Sequence, residues 1–177
     1  MLVSIIIRTL NEDKYLDELL SAIDAQEKNG FLCEVIIVDS GSTDRTLEIA
    51  YKHNAKLTYI NKKDFSFGRS LNIGCEFADG EHLVFVSGHC IPVNKDWLQN
   101  LVNPLIKNQS DYVYGRQIGR DTTKFSETQV FEKYFPDVLD DKGNIVGKTQ
   151  SYKDLKNDLE EKIKTKDEEL ATQGYEV

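Results

Sequence analysis

The sequence predicts an α/β fold: a mostly parallel sheet with helices on both faces, followed by a charged C-terminal helix. Three observations lead there. Apolar runs that read as strands alternate with stretches of helical periodicity from the first residue onward. The runs are continuous rather than alternating, as in strands covered on both faces. The polar residues with chemistry to offer gather where the runs stop, and right-handed crossovers bring those stops to one edge of a sheet.

Leu2 to Ile7, broken only by Ser4, reads as a central strand. Asn11 is placed to cap a helix through about residue 27, whose apolar positions Tyr15, Leu16, Leu19, Leu20 and Ile23 recur at helical spacing. Gly30 ends that unit. A second strand, Glu34 to Val38, runs into Asp39-Ser40-Gly41-Ser42-Thr43-Asp44, where Thr43 or Ser42 caps a helix carrying Leu47, Ile49, Ala50 and Tyr51. Lys56 to Ile60 is a shorter strand. The loop 61–67 feeds a helix from about Gly68 to Ala78. The buried run Leu83 to Val86 then stops at Ser87-Gly88-His89-Cys90, with a helix near Lys95 to Ile106 and a strand at Tyr112 to Tyr114. After about Pro136 the composition turns polar. A charged helix with a sparse apolar stripe (Tyr152, Leu155, Leu159, Ile163, Leu170) is expected over 152–170, packing back on the domain or offering a surface for a protein partner or self-association.

With 177 residues, 40% of them hydrophobic and 29% charged, the chain has the composition of an ordinary globular protein with one substantial core. The net charge of −8 argues against a nucleic-acid binder, which needs phosphate-neutralising Lys and Arg. It leaves room for a local pocket that takes one anionic nucleotide. No apolar run approaches the roughly 20 residues of a membrane span, and the N-terminus lacks the basic start and cleavage site of a signal peptide. Cys33, Cys75 and Cys90 show no metal-ligand spacing and read as reduced thiols of the cytoplasm.

The strand ends collect Arg8-Thr9-Leu10-Asn11, Asp39-Ser40, the 61–69 loop and Ser87-Gly88-His89. Asp39, directly after an apolar strand, can accept hydrogen bonds from a base or ribose, or cap the following turn with Ser40 and Ser42. A guanidinium at the end of the first core strand needs an anion, so Arg8 calls for either an internal carboxylate such as Asp39 or a ligand phosphate. Lys62, Lys63 and Arg69 lie close to Gly68, whose place at a helix start lets backbone N–H groups approach an anion. Ser66, Ser70 and Asp64 can equally be ordinary caps. His89 is a structural group or a ligand for a borderline metal such as Mn2+. A Cys90–His89 nucleophile and base is rejected, because adjacent residues do not bring their side chains together there and no orienting Asn or Asp follows.

Taken in order, "VSIIIRTLNEDKYLDELLSAIDAQ", "EVIIVDSGSTDRTLEIA" and "FGRSLNIGCEFADGEHLVFVSGHCIP" resemble the nucleotide-binding half of a family 2 glycosyltransferase with a GT-A fold. The resemblance covers about residues 2 to 116, and "YGRQIGRDTTKFSE" is similar to a stretch of rhamnosyltransferase-like members. It implies a nucleotide-sugar-binding domain over 1–135 and leaves 136–177 as polar linker and charged helix. It also implies that Thr9, Asn11 and Glu12 approach the nucleotide, that Asp39 reads the base, and that Gly68, Arg69 and Asn72 lie near the donor, with Arg8 and Ser87 beside them. The implied reaction is transfer from a UDP- or dTDP-linked sugar to a glycan or lipid-linked acceptor hydroxyl. The implied setting is the cytoplasm, peripheral to the inner membrane face for a lipid-linked acceptor.

Two departures from the family pattern bear on the chemistry. Arg8-Thr9 stands where the family has Pro-Thr, adding a cation that seeks phosphate. Ser87-Gly88-His89 stands where the family has Asp-x-Asp, so a divalent cation, Mn2+ or Mg2+, keeps His89 as a ligand but loses the first carboxylate. After Pro136 no carboxylate stands out as the base that deprotonates the acceptor, and no catalytic residue is assigned. That gap keeps a second expectation alive, a nucleotide-binding or interaction module completed by a longer chain or a partner. A nucleotidyltransferase fits less well, since no Gly-rich loop with a following Lys lies near the first strand.

Overall fold

The computed structural model describes residues 1–120, 123–126 and 129–130. The chain divides into two units, Met1–Gly115 and Arg116–Val177, and the first holds the sheet. Strands β1 (Leu2–Thr9), β2 (Leu32–Asp39), β3 (Lys56–Tyr59) and β4 (His82–Ser87) form one parallel sheet in the order β3-β2-β1-β4. The interior place of β1 accounts for its apolar run: Val3, Ile5, Ile6 and Ile7 are wholly buried, as is Ser4 between them.

Side chains of β1 alternate between two cores. Val3, Ile5 and Ile7 pack with Leu16, Leu19, Leu20 and Ile23 of α1 (Asp13–Asp24), with Ile49 of α2 (Thr46–Lys52), and with Leu98 and Val102 of α4 (Trp97–Ile106). On the other face Ile6, Ile36 and Val38 meet Leu71, Ile73 and Cys75 of α3 (Phe67–Glu76). Helices thus cover both faces, as the continuous apolar runs predict. The register aligns the carboxyl ends: Arg8 lies opposite Val38 on one side and Ser87 on the other, and Thr9 lies opposite Asp39.

Local expectations fail in three places. Asn11 does not cap α1; it sits at φ 55° and Glu12 occupies the cap position. Likewise α2 begins at Thr46, beyond Ser42 and Thr43. Tyr112 to Tyr114 forms no strand: the segment makes no ladder pairing with the sheet, whose outer member on that side is β4, and Tyr112 and Tyr114 are both exposed, their rings 6.2 Å apart. The charged helix expected over 152–170 lies outside the described residues. No helix among the described residues is long and apolar enough to cross a membrane.

A histidine clasp joins α1 to α2. His53 places Nε2 2.9 Å from Asp17 Oδ1 and Nδ1 3.0 Å from Asp24 Oδ2, while Lys52 Nζ donates to Asp17 at 2.7 Å. Burial opposes charge on the imidazole, but the hydrogen bonds to Asp17 and Asp24 outweigh it and raise the His53 pKa. Hydrogen bonds from Lys52 and His53 lower that of Asp17. The stabilisation from His53 is therefore complete below the histidine's unfolded pKa and fades as pH rises through its higher folded value. That from Asp17 is complete above the carboxylate's unfolded pKa and fades as pH falls through its lower folded value. The clasp holds best between the carboxylate and histidine ranges. Urea midpoints should fall as pH rises through and above the ordinary histidine range, and the fall should be smaller in His53→Gln; an identical profile in that variant would dismiss the clasp.

Candidate functional site

The site begins with a knot of loops at the carboxyl edge. Asp39, 1% exposed, accepts four hydrogen bonds: from Thr9 Oγ1 (3.0 Å), from the Gly41 and Ser42 amides (2.8 and 2.9 Å), and from Ser42 Oγ (2.5 Å). A carboxylate has about four acceptor sites, so Asp39 is saturated from within, and a ligand reaches it only by displacing a donor. The same Ser42 Oγ accepts the Asn11 amide at 2.9 Å, and Asn11 Oδ1 accepts the Thr43 amide at 2.8 Å. Glu12 N donates to Thr46 Oγ1 (2.8 Å), and Asp44 accepts the Asp13 and Thr46 amides. These cross-bonds tie the loop after β1 to the loop after β2. They explain why Asn11, Ser42 and Thr43 cap nothing in their own helices: their polar atoms are spent across the gap. Burial opposes charge on Asp44, but its hydrogen bonds with Thr46 and the Asp13 amide outweigh this and lower its pKa.

Arg8 does not pair with Asp39, the internal carboxylate the sequence offers; it lies over an aromatic ring. Its guanidinium carbon lies 4.5 Å from the centre of the Phe67 ring, the first residue of α3. Among the described residues no carboxylate lies within ion-pair distance of it. Ser66 caps α3 by accepting the Arg69 amide at 3.1 Å. The Arg69 side chain turns back, Nη1 donating to the Asp64 carbonyl at 2.8 Å, and so braces the loop. Every residue of 61–69 is exposed. An added Cβ at Gly68 meets nothing within 4 Å, so that glycine leaves open space over the helix start.

Past β4, the chain turns with Cys90 N donating to Ser87 O at 3.0 Å. Gly88 is buried, and a Cβ there would stand 2.9 Å from Glu12 Cγ and 3.3 Å from Arg8 O. The bare glycine lets Glu12 pass over the turn and set Oε1 3.1 Å from His89 Nδ1. Among the described residues no group of three His, Cys, Asp or Glu side chains is placed to hold a metal ion.

The fold thus brings Arg8, Thr9, Asn11, Glu12, Asp39, Ser87 and His89 to one edge of the sheet. Gly68 and Arg69 open the helix that Arg8 reaches, and Asn72 is exposed one turn further along α3. The sequence reading missed Phe67. Two aromatics, Phe65 and Phe67, standing in a loop of polar residues beside Gly68 were the available signal. Gly88 and the Ser42–Asn11 bond carried none, since each depends on contacts between segments far apart in the chain.

A parallel α/β sheet with its chemistry on the loops after β1, β2 and β4 is a GT-A architecture, the nucleotide-diphospho-sugar transferase type. Residues 4–163 match glycosyl transferase family 2, and the chain belongs to that family. It is similar to poly(ribitol-phosphate) beta-N-acetylglucosaminyltransferase TarS of Staphylococcus aureus, 31% identical over 112 residues, covering 61% of this chain and 19% of TarS. Glycosyltransferase AglE of Haloferax volcanii is 31% identical over 118 residues, covering 64% of this chain and 38% of AglE. A crystal structure of S. aureus TarS 1–349 in complex with UDP-GlcNAc superposes with a TM-score of 0.53 at 30% identity, over 70% of this chain and 38% of that one. The chain therefore spans less than half the length of these relatives.

Proposed function

We propose that this chain is the donor-binding half of a glycosyltransferase that moves a sugar from a nucleotide diphosphate to an acceptor hydroxyl with inversion at the anomeric carbon. The observation that carries the reading is Arg8, a cation with no carboxylate partner among the described residues, set in register beside Ser87 at the carboxyl edge. Ligands of open α/β sheets bind outside that edge, and a guanidinium suits phosphate oxygens. Similarity to TarS, solved with UDP-GlcNAc, supports a uridine diphosphate donor, with dTDP the alternative. In a direct displacement the acceptor oxygen forms its bond to the anomeric carbon as the bond to the diphosphate breaks. Arg8 would offset charge on the departing phosphate, and Asp39 would read the base. The hydroxyl's proton goes to a base that is not assigned to this chain's described residues. It would come from the further length the relatives have. The acceptor is a glycan or a lipid-linked glycan, handled at the cytoplasmic membrane face.

Residues at the β4 turn fit a weakly held cation. His89 offers a nitrogen and Glu12, beside it, a carboxylate; Ser87 adds no charge. A bound Mn2+ or Mg2+ supplies charge neutralisation at the diphosphate. Calorimetric titration should therefore show UDP binding that Mn2+ strengthens. His89→Ala should remove the Mn2+ increment and keep the metal-free binding through Arg8, whereas Ser87→Asp should enlarge the increment by restoring an anionic oxygen. A folded chain that binds neither UDP nor dTDP sinks the donor-binding reading. Indifference to Mn2+ in all three proteins removes only the cation.

A further inference from the structure

We infer that Phe67 is a positioning residue that holds the Arg8 guanidinium ready for the donor's diphosphate; the inference rests on the donor-binding reading above. Ile6 packs into the core beneath α3, and Arg8, two residues on, leaves β1 on that same face. Its side chain is long and rotamer-rich, and an arginine at a strand end with no carboxylate to hold it would sample many positions. The ring of Phe67 removes that freedom by lying against the guanidinium, with 4.5 Å from its centre to the guanidinium carbon.

The contact leaves the hydrogen-bonding capacity of Arg8 intact. A cation over an aromatic ring is attracted through the ring's face, whereas phosphate oxygens are bound by N–H groups in the guanidinium plane. The ring therefore localises the charge while offering its N–H groups no oxygen acceptor. The setting of the ring argues the same way. Phe67 is 69% exposed, so it is not there to fill a core, and Phe65 abuts it edge to face, centroids 5.5 Å apart at 71°. Two exposed aromatics bracing each other over an arginine cost solvation that burial does not repay. Fixing the arginine is what the arrangement achieves. Arg69, the neighbouring arginine, is held by the Asp64 carbonyl instead, so the cation under Phe67 is the one placed beside Ser87.

The test compares UDP with uridine, so that the diphosphate's share of binding is read separately from the base's. Four variants are measured beside the unaltered chain by calorimetry and by competition: Phe67→Leu, Phe67→Trp, Arg8→Met and the Phe67→Leu/Arg8→Met pair. Phe67→Leu keeps an apolar side chain without a π face; it should weaken UDP about two- to fivefold, the scale of an exposed cation–π contact, and leave uridine unchanged. Phe67→Trp should restore UDP affinity. In the Arg8→Met background, Phe67→Leu should cost nothing further, because the ring acts only through the guanidinium. An unchanged ratio of UDP to uridine affinity in Phe67→Leu overturns the inference, as does an equal loss in the Arg8→Met background. Failure of the unaltered chain to bind UDP overturns the donor-binding reading and takes this one with it, whereas UDP binding indifferent to Phe67 removes this one alone.

Discussion

Gly80→Ala is expected to cost about 3 kcal/mol, the upper end for overpacking by small groups, and to lower the thermal midpoint by roughly 6–12 °C. A Cβ on Gly80 would stand 2.5 Å from Ser4 Oγ, 2.7 Å from Ser4 N and 3.0 Å from Leu2 O. Two of those atoms are backbone of β1, which is fixed by hydrogen bonds to β2 and β4. They cannot yield without moving the centre of the sheet. The third, on buried Ser4, belongs to a polar network at the amino edge. Ser4 Oγ accepts the Gly80 amide at 2.9 Å and donates to Glu34 Oε1, which also accepts the Asp79 amide at 2.8 Å; Lys56 pairs with Glu34 at 2.6 Å. Burial opposes charge on Glu34, but Lys56 and Ser4 outweigh it and lower its pKa. Displacing Ser4 therefore disturbs one carboxylate that organises three segments. Gly68→Ala is the control: its Cβ meets nothing, and a helix start gains from alanine. Thermal unfolding followed by circular dichroism should separate the two variants widely. A Gly80→Ala midpoint within a degree or two of the unaltered chain would mean that the turn before β4 has room the contacts deny.

The sheet was legible in the sequence because burial on both faces leaves a mark that needs no knowledge of neighbours: Ile5-Ile6-Ile7 and Val35-Ile36-Ile37-Val38 are apolar whichever face is counted. The convergence of Arg8, Asp39 and Ser87 followed from topology, since parallel strands must end at a common edge. Capping was misread because the rule is local and the hydrogen bonds are not. Asn11 and Ser42 look like helix caps at their own positions, yet each satisfies a backbone group of the other loop. Tyr112 to Tyr114 has strand-forming residues but no apolar face to bury, and propensity alone did not make it a strand. Arg8 was read as a cation in need of an anion, and Asp39, the internal one offered, is not paired with it. That an aromatic ring lies against it could not be read, because the pattern places Phe67 at the end of the 61–67 loop and says nothing of what lies across from it.

Asp39 stands between two roles, turn cap and base reader, and exchanging one atom of its side chain divides them. Asp39→Ala should destabilise the chain by about 3 kcal/mol, because the Gly41 and Ser42 amides and the Thr9 hydroxyl lose their acceptor in a buried place. Asp39→Asn should stay folded. Its carbonyl oxygen can accept both amides where Oδ2 stands, and its amino group can face the hydroxyls of Thr9 and Ser42, which rotate to accept. For the ligand the two atoms are not equivalent. If a base takes the place of the Ser42 hydroxyl on Oδ1, it must donate, as the N3–H of uracil does; an amino group at that position meets donor with donor. UDP affinity should then fall about tenfold or more in Asp39→Asn, the scale of a mismatched buried polar pair. CDP, whose cytosine N3 accepts, should gain relative to UDP. Calorimetry of both nucleotides against both proteins reads this directly, with thermal unfolding to confirm that Asp39→Asn is intact. A UDP-to-CDP preference unmoved by the substitution would assign Asp39 wholly to the loop knot, and base selection would then pass to other atoms of the carboxyl edge.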